Sequence, residues 1–471
     1  MDSIFTMDKL KEECGVIGIY APGQENISQM LCFGLIALQH RGQESAGIAV
    51  LKDRRMQYYK EMGLVQEVFN SEILERLPAD IGIGHVRYST TGESYVVNAQ
   101  PLVVRYKGGS IALAHNGNLV NANVIRDRLE DEGSIFQTSI DSEVIANLIA
   151  KNYHLGMKEA VIESVKEIRG SFALVIIIDN MLVGVRDPHG LRPLSLAKLG
   201  DGYVLASETC AHDVVGAEFI RDVEPGEIIV IDGNGYESIR YNDTARKAVC
   251  CFEYVYFARP DSIIDGVNVY SSRKEAGRIL ARENPVEADM VIAVPDSGIA
   301  AAIGYAEESG IPYDSGLIKN KYMGRTFIQP DQKSRELAVR LKLNVMKENI
   351  EGKRLILIDD SIVRGTTSSR IVNMLKEAGA KEVHIRVSSP PVKYSCYFGI
   401  DTPSRKQLVG ATHTLDEIRD MIGADSLAYL SVDGLVKSIG MKKSDLCTAC
   451  FNGDYPMPVP HEGNKHIFEK C

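Results

Sequence analysis

The run at 353–387, KRLILIDDSIVRGTTSSRIVNMLKEAGAKEVHIRV, limits the possible folds more than any other part of the chain. An apolar strand from Arg354 to Ile358 ends at two aspartates, and a Gly/Thr/Ser loop then leads into a helix that stops at Gly379. The strand EVHIRVSS follows, and MVIAVPD begins the same alternation earlier in the second half. Because such alternation is typical of βαβ units, the second half is predicted to be an α/β domain with a parallel sheet.

The loop of this unit has the features of an anion-binding site. In open α/β sheets ligands lie beyond the carboxyl ends of the strands, and free N–H groups at a helix N-terminus favour a phosphate. Asp359 and Asp360 are hard oxygen ligands for Mg²⁺, or acceptors for sugar hydroxyls. The alternative is a capped helix after a strand with two exposed acids. We predict that five loop residues bind phosphate: Arg364, Gly365, Thr366, Thr367 and Ser368.

A second strand end, VIAVPDSG at 291–298, precedes another helix and is a candidate pyrophosphate loop that includes the candidate Mg²⁺ ligand Ser297. With the first loop it resembles the phosphoribosyl-pyrophosphate motif of type I phosphoribosyltransferases. The basic segment KNKYMGRTFIQPDQKSRE corresponds to the loop that closes over the active site in that family. The resemblance makes Lys319, Tyr322 and Arg325 candidates for binding pyrophosphate. The alternative is that this segment is a solvated basic loop.

The first half has a different hydrophobic pattern. From Cys14 to about Asp232, short apolar runs alternate with a few helical stretches, which predicts an α+β domain with antiparallel strands. One predicted helix begins at Ile27 and another at Asp141. The stretch 233–247 is polar and rich in turn residues, as expected of a domain boundary. We therefore predict domains at 14–245 and 246–471, the second with a C-terminal extension.

Cys14 is the candidate nucleophile of the first half. Followed by Gly-Val-Ile-Gly, it would otherwise be an ordinary residue of an interior strand. If residues 1–13 are a leader that is removed, the α-amino group of Cys14, with an ordinary pKa of about 7.7–8.0, becomes a base that can activate the thiol. The stretch MDSIFTMDKLKEE lacks the basic start and apolar centre of an export signal, which leaves a disposable leader as its explanation.

Other first-half residues suit the cleavage of an amide. Arg87, in HVRYST, can pair with an α-carboxylate, and Asn116 and Gly117, in HNGN, offer the donors of an oxyanion hole. Asp141 can accept a substrate ammonium, with helix capping as the alternative. With Cys14-Gly15 and QHRGQESAGI, these motifs resemble the class II glutamine amidotransferase domain of the N-terminal nucleophile family. That resemblance implies an αββα fold.

The two domains in this order resemble the amidophosphoribosyltransferase family. The resemblance implies a pentosyltransferase with glutamine amidotransferase activity, in which glutamine, phosphoribosyl pyrophosphate and water give 5-phosphoribosylamine, glutamate and pyrophosphate. It also implies that ammonia passes between the two sites. The segment CCFEYVYFARPDS (250–262) then lies where the domains meet, with Tyr256, Arg259 and Asp261 beside the ammonia path, although a core strand is the alternative.

Two other classes of protein remain as alternatives. A sugar isomerase that uses glutamine as its nitrogen source, such as glucosamine-6-phosphate synthase, shares the first domain. The phosphoribosyltransferase-like motif LILIDDSIVRGTT in the second half disfavours this alternative. A non-catalytic regulator built on a phosphoribosyltransferase fold would need neither Cys14 nor HNGN. Glutamate release that depends on phosphoribosyl pyrophosphate separates all three possibilities.

The cysteines suggest a metal centre. The chain has nine in 471 residues, too few for a disulfide framework, which favours a reducing cytosol. Four of them suit a [4Fe–4S] cluster, with zinc as the alternative metal and Cys251 as a rival ligand: Cys250, Cys396, Cys447 and Cys450. The resemblance implies the cluster-containing type with a leader.

Charge and hydropathy restrict the partners. The formal net charge is −10, which argues against a nucleic-acid surface, and no apolar run reaches the length of a membrane span. A soluble, cytoplasmic enzyme is therefore expected. The family resemblance further suggests a homotetramer that is inhibited by purine nucleotides of the AMP, GMP or ADP type.

Overall fold

The computed structural model describes residues 14–88, 95–320 and 343–460. The first half contains two antiparallel sheets. The seven-stranded sheet has the order β11-β9-β10-β1-β4-β2-β3, from β1 (Gly15–Tyr20), β2 (Ser45–Lys52), β3 (Arg55–Met62), β4 (Ile81–Arg87), β9 (Ser195–Leu199), β10 (Gly202–Ala206) and β11 (Glu218–Asp222). The six-stranded sheet has the order β13-β12-β8-β7-β6-β5, from β5 (Leu102–Tyr106), β6 (Gly109–Leu119), β7 (Gly170–Ile178), β8 (Met181–Arg186), β12 (Glu227–Asp232) and β13 (Gly235–Arg240).

Helices cover the outer face of each sheet. One core cluster lies between the two sheets and includes Val16, Ile83 and Val175, while two further clusters join each sheet to its helices. The helices of the first half are Ile27–Ala37, Val65–Val68, Ser71–Glu75, Ala122–Asp131, Ser142–Asn152, Met157–Glu167 and Thr209–Val215. This arrangement is the four-layer αββα fold that the sequence resemblance implied.

The pairing of β1 with β4 positions the first candidate site. β1 lies in the middle of its sheet, between β10 and β4, and Gly15 pairs with Val86. Cys14, immediately before β1, therefore lies beside Arg87 at the end of β4. β7 (GSFALVIII) is buried along its whole length, as expected for a strand with the second sheet on one face and helices on the other.

The second half contains the predicted parallel sheet. Its order is β17-β20-β21-β22, from β17 (Met290–Ala293), β20 (Arg354–Asp359), β21 (Glu382–Val387) and β22 (Ser426–Tyr429), with all neighbours parallel. A two-stranded antiparallel pair joins β18 (Leu317–Lys319) to β19 (Leu343–Val345). The helices are Val269–Glu283, Ile299–Ser309, Lys347–Ile350, Thr366–Glu377, Val409–Thr412, Leu415–Ile422, Val432–Ile439 and Ala449–Asn452.

Two stretches between the domains differ from expectation. The stretch 233–247 is not all turn, because β13 occupies Gly235–Arg240 and pairs with β12 at the sheet edge; its polar side chains face solvent. The aromatic segment 250–262 is not a core strand. Only β14 (Val249–Cys250) is extended, pairing with β23 (Leu446–Cys447), and Glu253–Phe257 forms a π-helical turn. β15 (Ile263–Ile264) and β16 (Val267–Asn268) form a hairpin after it.

Within the described ranges, every helix is too short or too polar to cross a membrane.

Candidate active sites

Cys14 is buried among polar groups of the first domain. Its Sγ donates to the backbone oxygen of Tyr88 at 3.6 Å. Burial raises the pKa of the Cys14 thiol to about 11, although the bond to Tyr88 and the charge of Arg87 act in the opposite direction. A thiol with this pKa is protonated near neutral pH, so a nucleophilic role requires a base close to the sulfur. Residues 1–13, the predicted leader, lie outside the described residues.

The HNGN motif lies on β6, in the sheet that faces β1. Asn116 is 1% exposed, and its buried Nδ2 has no hydrogen-bond partner in the part of the chain that the structure describes. An unpaired buried amide donor costs free energy, about 1–3 kcal/mol, which a bound oxyanion would recover. Gly117 has a φ of +147°, and a Cβ there would lie 2.1 Å from the oxygen of Ser171. Position 117 therefore requires glycine.

The charges of Arg87 and Asp141 both act on the thiol of Cys14. Arg87 is 2% exposed, and its charge interacts with both Cys14 and Asp141. Asp141 makes no capping bond to its helix, so the capping alternative is wrong. Its carboxylate instead accepts from the backbone N–H of Leu119 at 2.9 Å. Burial raises the pKa of Asp141, but the charge and hydrogen bond of His115 and the bond from Leu119 outweigh it, so the net shift is downward.

The predicted phosphate loop follows β20 and leads into the helix Thr366–Glu377. Gly365 precedes that helix with a φ of +84°, a backbone conformation that favours glycine. Arg364 and Thr366 are exposed, while Thr367 and Ser368 are buried in the first turn. The positive end of the helix therefore opens towards solvent at the carboxyl end of the parallel sheet.

Asp359 and Asp360 are buried, at 3% and 0% exposure, so the alternative of two exposed acids is wrong. Asp360 donates its backbone N–H to Asp359 Oδ1 at 2.9 Å and accepts from the hydroxyl of Ser361 at 2.6 Å. Ser297 lies close to this strand end, because Val294 N–H donates to the oxygen of Ile358 and Gly298 packs against the same oxygen. Ser297 and the two aspartates therefore lie at the same edge of the sheet.

Lys319, at the end of β18, donates to Asp296 Oδ2 at 2.9 Å. This ion pair brings the start of the basic segment to the loop that carries Ser297, and both partners are exposed. Tyr322 and Arg325 lie outside the described residues.

Comparisons with known proteins identify both domains. Residues 85–212 match the family model of the glutamine amidotransferase domain, and residues 271–392 match that of the phosphoribosyl transferase domain. The amidophosphoribosyltransferase of Archaeoglobus fulgidus is 53% identical over 455 residues, covering 95% of this chain and 99% of the relative. The Bacillus subtilis amidophosphoribosyltransferase is 51% identical, covering 96% of this chain and 95% of the relative.

The chain belongs to the amidophosphoribosyltransferase family.

Solved structures of similar proteins have the same fold. The B. subtilis glutamine phosphoribosylpyrophosphate amidotransferase, in complex with ADP and GMP, superposes with a TM-score of 0.90 at 50% identity, covering 95% of this chain and 98% of that chain. A structure described as the allosteric regulatory enzyme of purine biosynthesis gives a TM-score of 0.92 at 50% identity, covering 97% and 99%. The amidophosphoribosyltransferase reaction converts glutamine, phosphoribosyl pyrophosphate and water to 5-phosphoribosylamine, glutamate and pyrophosphate, the first step of purine biosynthesis.

The four predicted metal-ligand cysteines of this amidophosphoribosyltransferase chain line one cavity, together with Arg192, Phe398 and Tyr455. Cys250 and Cys447 are direct neighbours across the β14–β23 pair, and Cys396 and Cys450 also line the cavity. Burial raises the pKa of Cys447 to about 12, while the charge of Arg192 lowers it.

Cys251 does not line this cavity, although its thiol hydrogen-bonds with Cys450. The structure therefore favours Cys250 as the residue that faces a bound group. No three His, Cys, Asp or Glu side chains of the described ranges converge tightly enough to hold a single metal ion.

Sequence analysis did not identify the polar residues that join the domains. Glu208 accepts the backbone N–H of Arg259 at 2.9 Å and the hydroxyl of Ser262 at 2.6 Å. Asn118 donates to the oxygen of Tyr397 at 2.9 Å, so the HNGN strand also contacts the loop after Cys396. Arg41 stands in the quoted motif QHRGQESAGI, but nothing local in that motif indicates its partners.

Proposed function

We propose that the buried pocket at Cys14 hydrolyses glutamine and that the loop after β20 binds the phosphoribosyl pyrophosphate that receives the ammonia. One observation carries this proposal: the same chain contains both a buried thiol near Arg87 and Asp141 and a buried pair of aspartates next to a candidate phosphate-binding loop. We place the functional domains at 14–245 and 246–471, after a removed leader at 1–13.

The groups that contact glutamine all belong to the first domain. Arg87 pairs with the α-carboxylate of glutamine, and Asp141 accepts its ammonium. The α-amine of mature Cys14 takes the thiol proton, and the sulfur attacks the amide carbon. Asn116 Nδ2 and the Gly117 N–H hold the resulting oxyanion. The leaving nitrogen takes a proton and departs as ammonia, after which water cleaves the thioester to give glutamate and free Cys14.

Phosphoribosyl transfer uses the edge of the parallel sheet. Residues 364–368 bind the 5-phosphate, and Ser297, Asp359 and Asp360 supply oxygen ligands that fit Mg²⁺. When bound, Mg²⁺ offsets the charge of the leaving pyrophosphate. Ammonia attacks C1 of the sugar, the bond to pyrophosphate breaks, and the nitrogen loses a proton. Lys319, Tyr322 and Arg325 hold the pyrophosphate and exclude water.

Ammonia must pass from one site to the other without protonation in bulk water. The segment with Tyr256, Arg259 and Asp261 is suited to border that path, because it contacts both domains: Arg259 bonds to Glu208 and to the oxygen of Ala37 in the first domain. The core around it belongs to the second domain.

The cysteine-lined cavity is suited to a [4Fe–4S] cluster held by Cys250, Cys396, Cys447 and Cys450. Four cysteine thiolates are the ligand set of a [4Fe–4S] cluster, and zinc, which accepts the same ligands, is the alternative. When bound, the cluster supplies cross-links between three distant segments of the chain. Burial raises the pKa of Cys396 and Cys447, and the charge of Arg192 acts in the opposite direction.

We infer regulation of this chain from the ligands of a solved relative. A solved relative carries ADP and GMP, which supports inhibition of this chain by purine nucleotides. We further propose a cytoplasmic homotetramer, which size-exclusion chromatography with light scattering tests directly.

The central experiment measures glutamate release from glutamine with and without phosphoribosyl pyrophosphate. We expect release to depend on the sugar substrate and to match the formation of pyrophosphate. Glutamate release with isomerisation of a hexose phosphate would instead indicate a sugar isomerase. Binding of phosphoribosyl pyrophosphate without any glutamate release would indicate a regulator.

A further inference from the structure

A buried arginine contacts the backbone of the candidate nucleophile. Arg41, in the 3₁₀ turn Gln39–Arg41, donates from Nε to the carbonyl oxygen of Cys14 at 3.1 Å. Its side chain has no exposed surface. After removal of a leader, Cys14 has a covalent neighbour only on its carbonyl side. A bond to that carbonyl is therefore well suited to hold the amine and the thiol in a fixed arrangement.

The other edge of the same guanidinium is held from the second domain. Arg41 Nη2 donates to Glu253 Oε1 at 2.7 Å, and Nη1 donates to Glu253 Oε2 at 3.0 Å. Glu208 accepts from Nη1 as well, at 2.5 Å. Glu253 begins the π-helical turn Glu253–Phe257, whose neighbouring residues pack in the core of the second domain. The carboxylate of Glu253 is also fully buried, so the pair is screened little by water.

We propose that Glu253 is a positioning residue for glutamine hydrolysis, which holds Arg41 so that its Nε fixes the carbonyl of Cys14. A guanidinium is planar and rigid, so a bidentate carboxylate on one edge sets the direction of the N–H on the other. This inference rests on the proposed role of Cys14 as nucleophile. It adds that the first site is complete only when the second domain supplies Glu253.

The turn that carries Glu253 is also tied to the phosphoribosyl side. Arg273, in the helix Val269–Glu283, donates to the backbone oxygens of Tyr254 and Ala258, each at 2.7 Å. Its charge interacts with that of Asp360 in the candidate Mg²⁺ site. Hydrogen bonds thus join Arg273 to the turn that carries Glu253, and the charge of Arg273 interacts with Asp360 at the second site. Occupancy of the second site is therefore expected to alter the reactivity of Cys14 through Glu253.

The test substitutes Glu253→Gln in the full-length enzyme. Glutamine keeps the shape but presents an NH₂ group to the donors of Arg41, which breaks the bidentate pair. The matched control is Asp265→Asn, which breaks a second buried carboxylate–arginine pair between the domains, since Asp265 accepts from Arg186 at 2.7 and 3.1 Å. Cys14 reactivity is measured as the rate of alkylation by 6-diazo-5-oxo-L-norleucine, located by mass spectrometry, with and without phosphoribosyl pyrophosphate.

In Glu253→Gln we expect kcat with glutamine and the rate of Cys14 alkylation to fall roughly ten- to a hundred-fold, as for a misplaced reacting group. The KM for glutamine and the ammonia-dependent rate should stay within about twofold, and the effect of phosphoribosyl pyrophosphate on alkylation should shrink. Asp265→Asn should leave alkylation unchanged.

If folded Glu253→Gln is alkylated at Cys14 at the parental rate, the proposal is overturned. It is also overturned if Asp265→Asn loses as much of the alkylation rate as Glu253→Gln, because that result would indicate general loosening of the interface. If Glu253→Gln does not fold, Glu253→Asp is tested instead, because the shorter carboxylate cannot hold both guanidinium nitrogens of Arg41 at the same distances. A parental rate of Cys14 alkylation in Glu253→Asp would likewise overturn the proposal. Alkylation of parental protein at a residue other than Cys14 would instead refute the role of Cys14 as nucleophile. Failure of the proposed function and failure of the proposed role of Glu253 therefore give different results.

Discussion

The two candidate sites differ in how much of their chemistry is buried. At the first site Cys14, Arg87, Asn116 and Asp141 are all buried. At the second, Asp359 and Asp360 are buried, whereas Arg364, Lys319 and Asp296 are exposed. The first site therefore relies on internal partners to stabilise its polar groups. The second leaves cationic groups and a helix N-terminus open to solvent, which suits a large, charged substrate that brings its own negative charge.

The difference implies that removing a reacting group from one site should leave the reacting groups of the other site in place. Polar groups of the first site are held by contacts within the first domain and by a few residues at the interface. The aspartates and the phosphate loop of the second site belong to a single strand–loop–helix unit. The predictions below test this independence, from the largest expected effect to the smallest.

Cys14→Ala should lower glutamine-dependent turnover by at least about 10³-fold, because the attacking sulfur is lost. The ammonia-dependent rate should remain, since the second site needs only an amine and the sugar substrate. Parallel assays with glutamine and with ammonium chloride measure the two rates. Cys32→Ala, which changes another buried cysteine of the same domain, should preserve both. Equal loss of both rates in Cys14→Ala would contradict the two-site mechanism.

The double variant Asp359→Asn/Asp360→Asn should lower glutamine- and ammonia-dependent turnover together, on the order of 10²-fold, because Mg²⁺ binding is weakened. Alkylation of Cys14 by the diazoketone should continue. The control Asp416→Asn/Asp420→Asn alters two exposed aspartates of the same domain and should have no effect. Normal ammonia-dependent turnover in the first variant would refute the assignment of the aspartates.

Cys447→Ser should remove the metal and destabilise the second domain, because binding free energy of the ligand set is also folding free energy. We expect brown parental protein with about four irons per chain, colourless Cys447→Ser protein, and a lower urea midpoint. Iron analysis and urea unfolding provide the measurements. Cys251→Ala is the control and should keep its iron, because Cys251 does not line the cavity. Parental protein that is colourless, iron-free and active in air would contradict the cluster.

Acidification should destabilise the first domain through His212. Burial lowers the pKa of this histidine from 6.5 to about 4. Below pH 6.5 the unfolded chain binds a proton that the folded chain does not, so stability falls as the pH decreases from 6.5 to about 4. The expected slope is about 1 kcal/mol per pH unit. Urea midpoints between pH 7 and pH 4.5 measure it. Burial also lowers the pKa of His85, to about 3, so His85 adds a similar slope over the same range. His212→Leu should therefore reduce the measured slope by about 1 kcal/mol per pH unit, and an unchanged slope in this variant would exclude a contribution from His212.

Mature protein analysed by intact mass should lack residues 1–13, because the mechanism requires a free α-amine on Cys14. Full glutaminase activity in a chain that still begins at Met1 would contradict that requirement.

Much of the second site was predictable from sequence because its parts are local. Asp359, Asp360 and residues 364–368 belong to one strand–loop–helix unit, whose hydrophobic pattern and glycine set the geometry over about ten residues. The sequence could not decide whether the aspartates were exposed, since burial depends on the strands on both sides of β20. Nor did it predict the π-helical turn Glu253–Phe257, where aromatic residues that favour a strand pack as a turn in the core.

By itself, the sequence determined the chemistry of individual motifs, namely a cysteine before a strand, HNGN, HVRYST and the phosphate loop, because each is a short run whose residue types suit one task. Only the tertiary structure decided which of them meet. Cys250 and Cys447 are adjacent although 197 positions separate them in the numbering, and Arg41 reaches Glu253 across 212. Contacts at such separations depend on how whole sheets and domains pack, and no local pattern of residues specifies that packing.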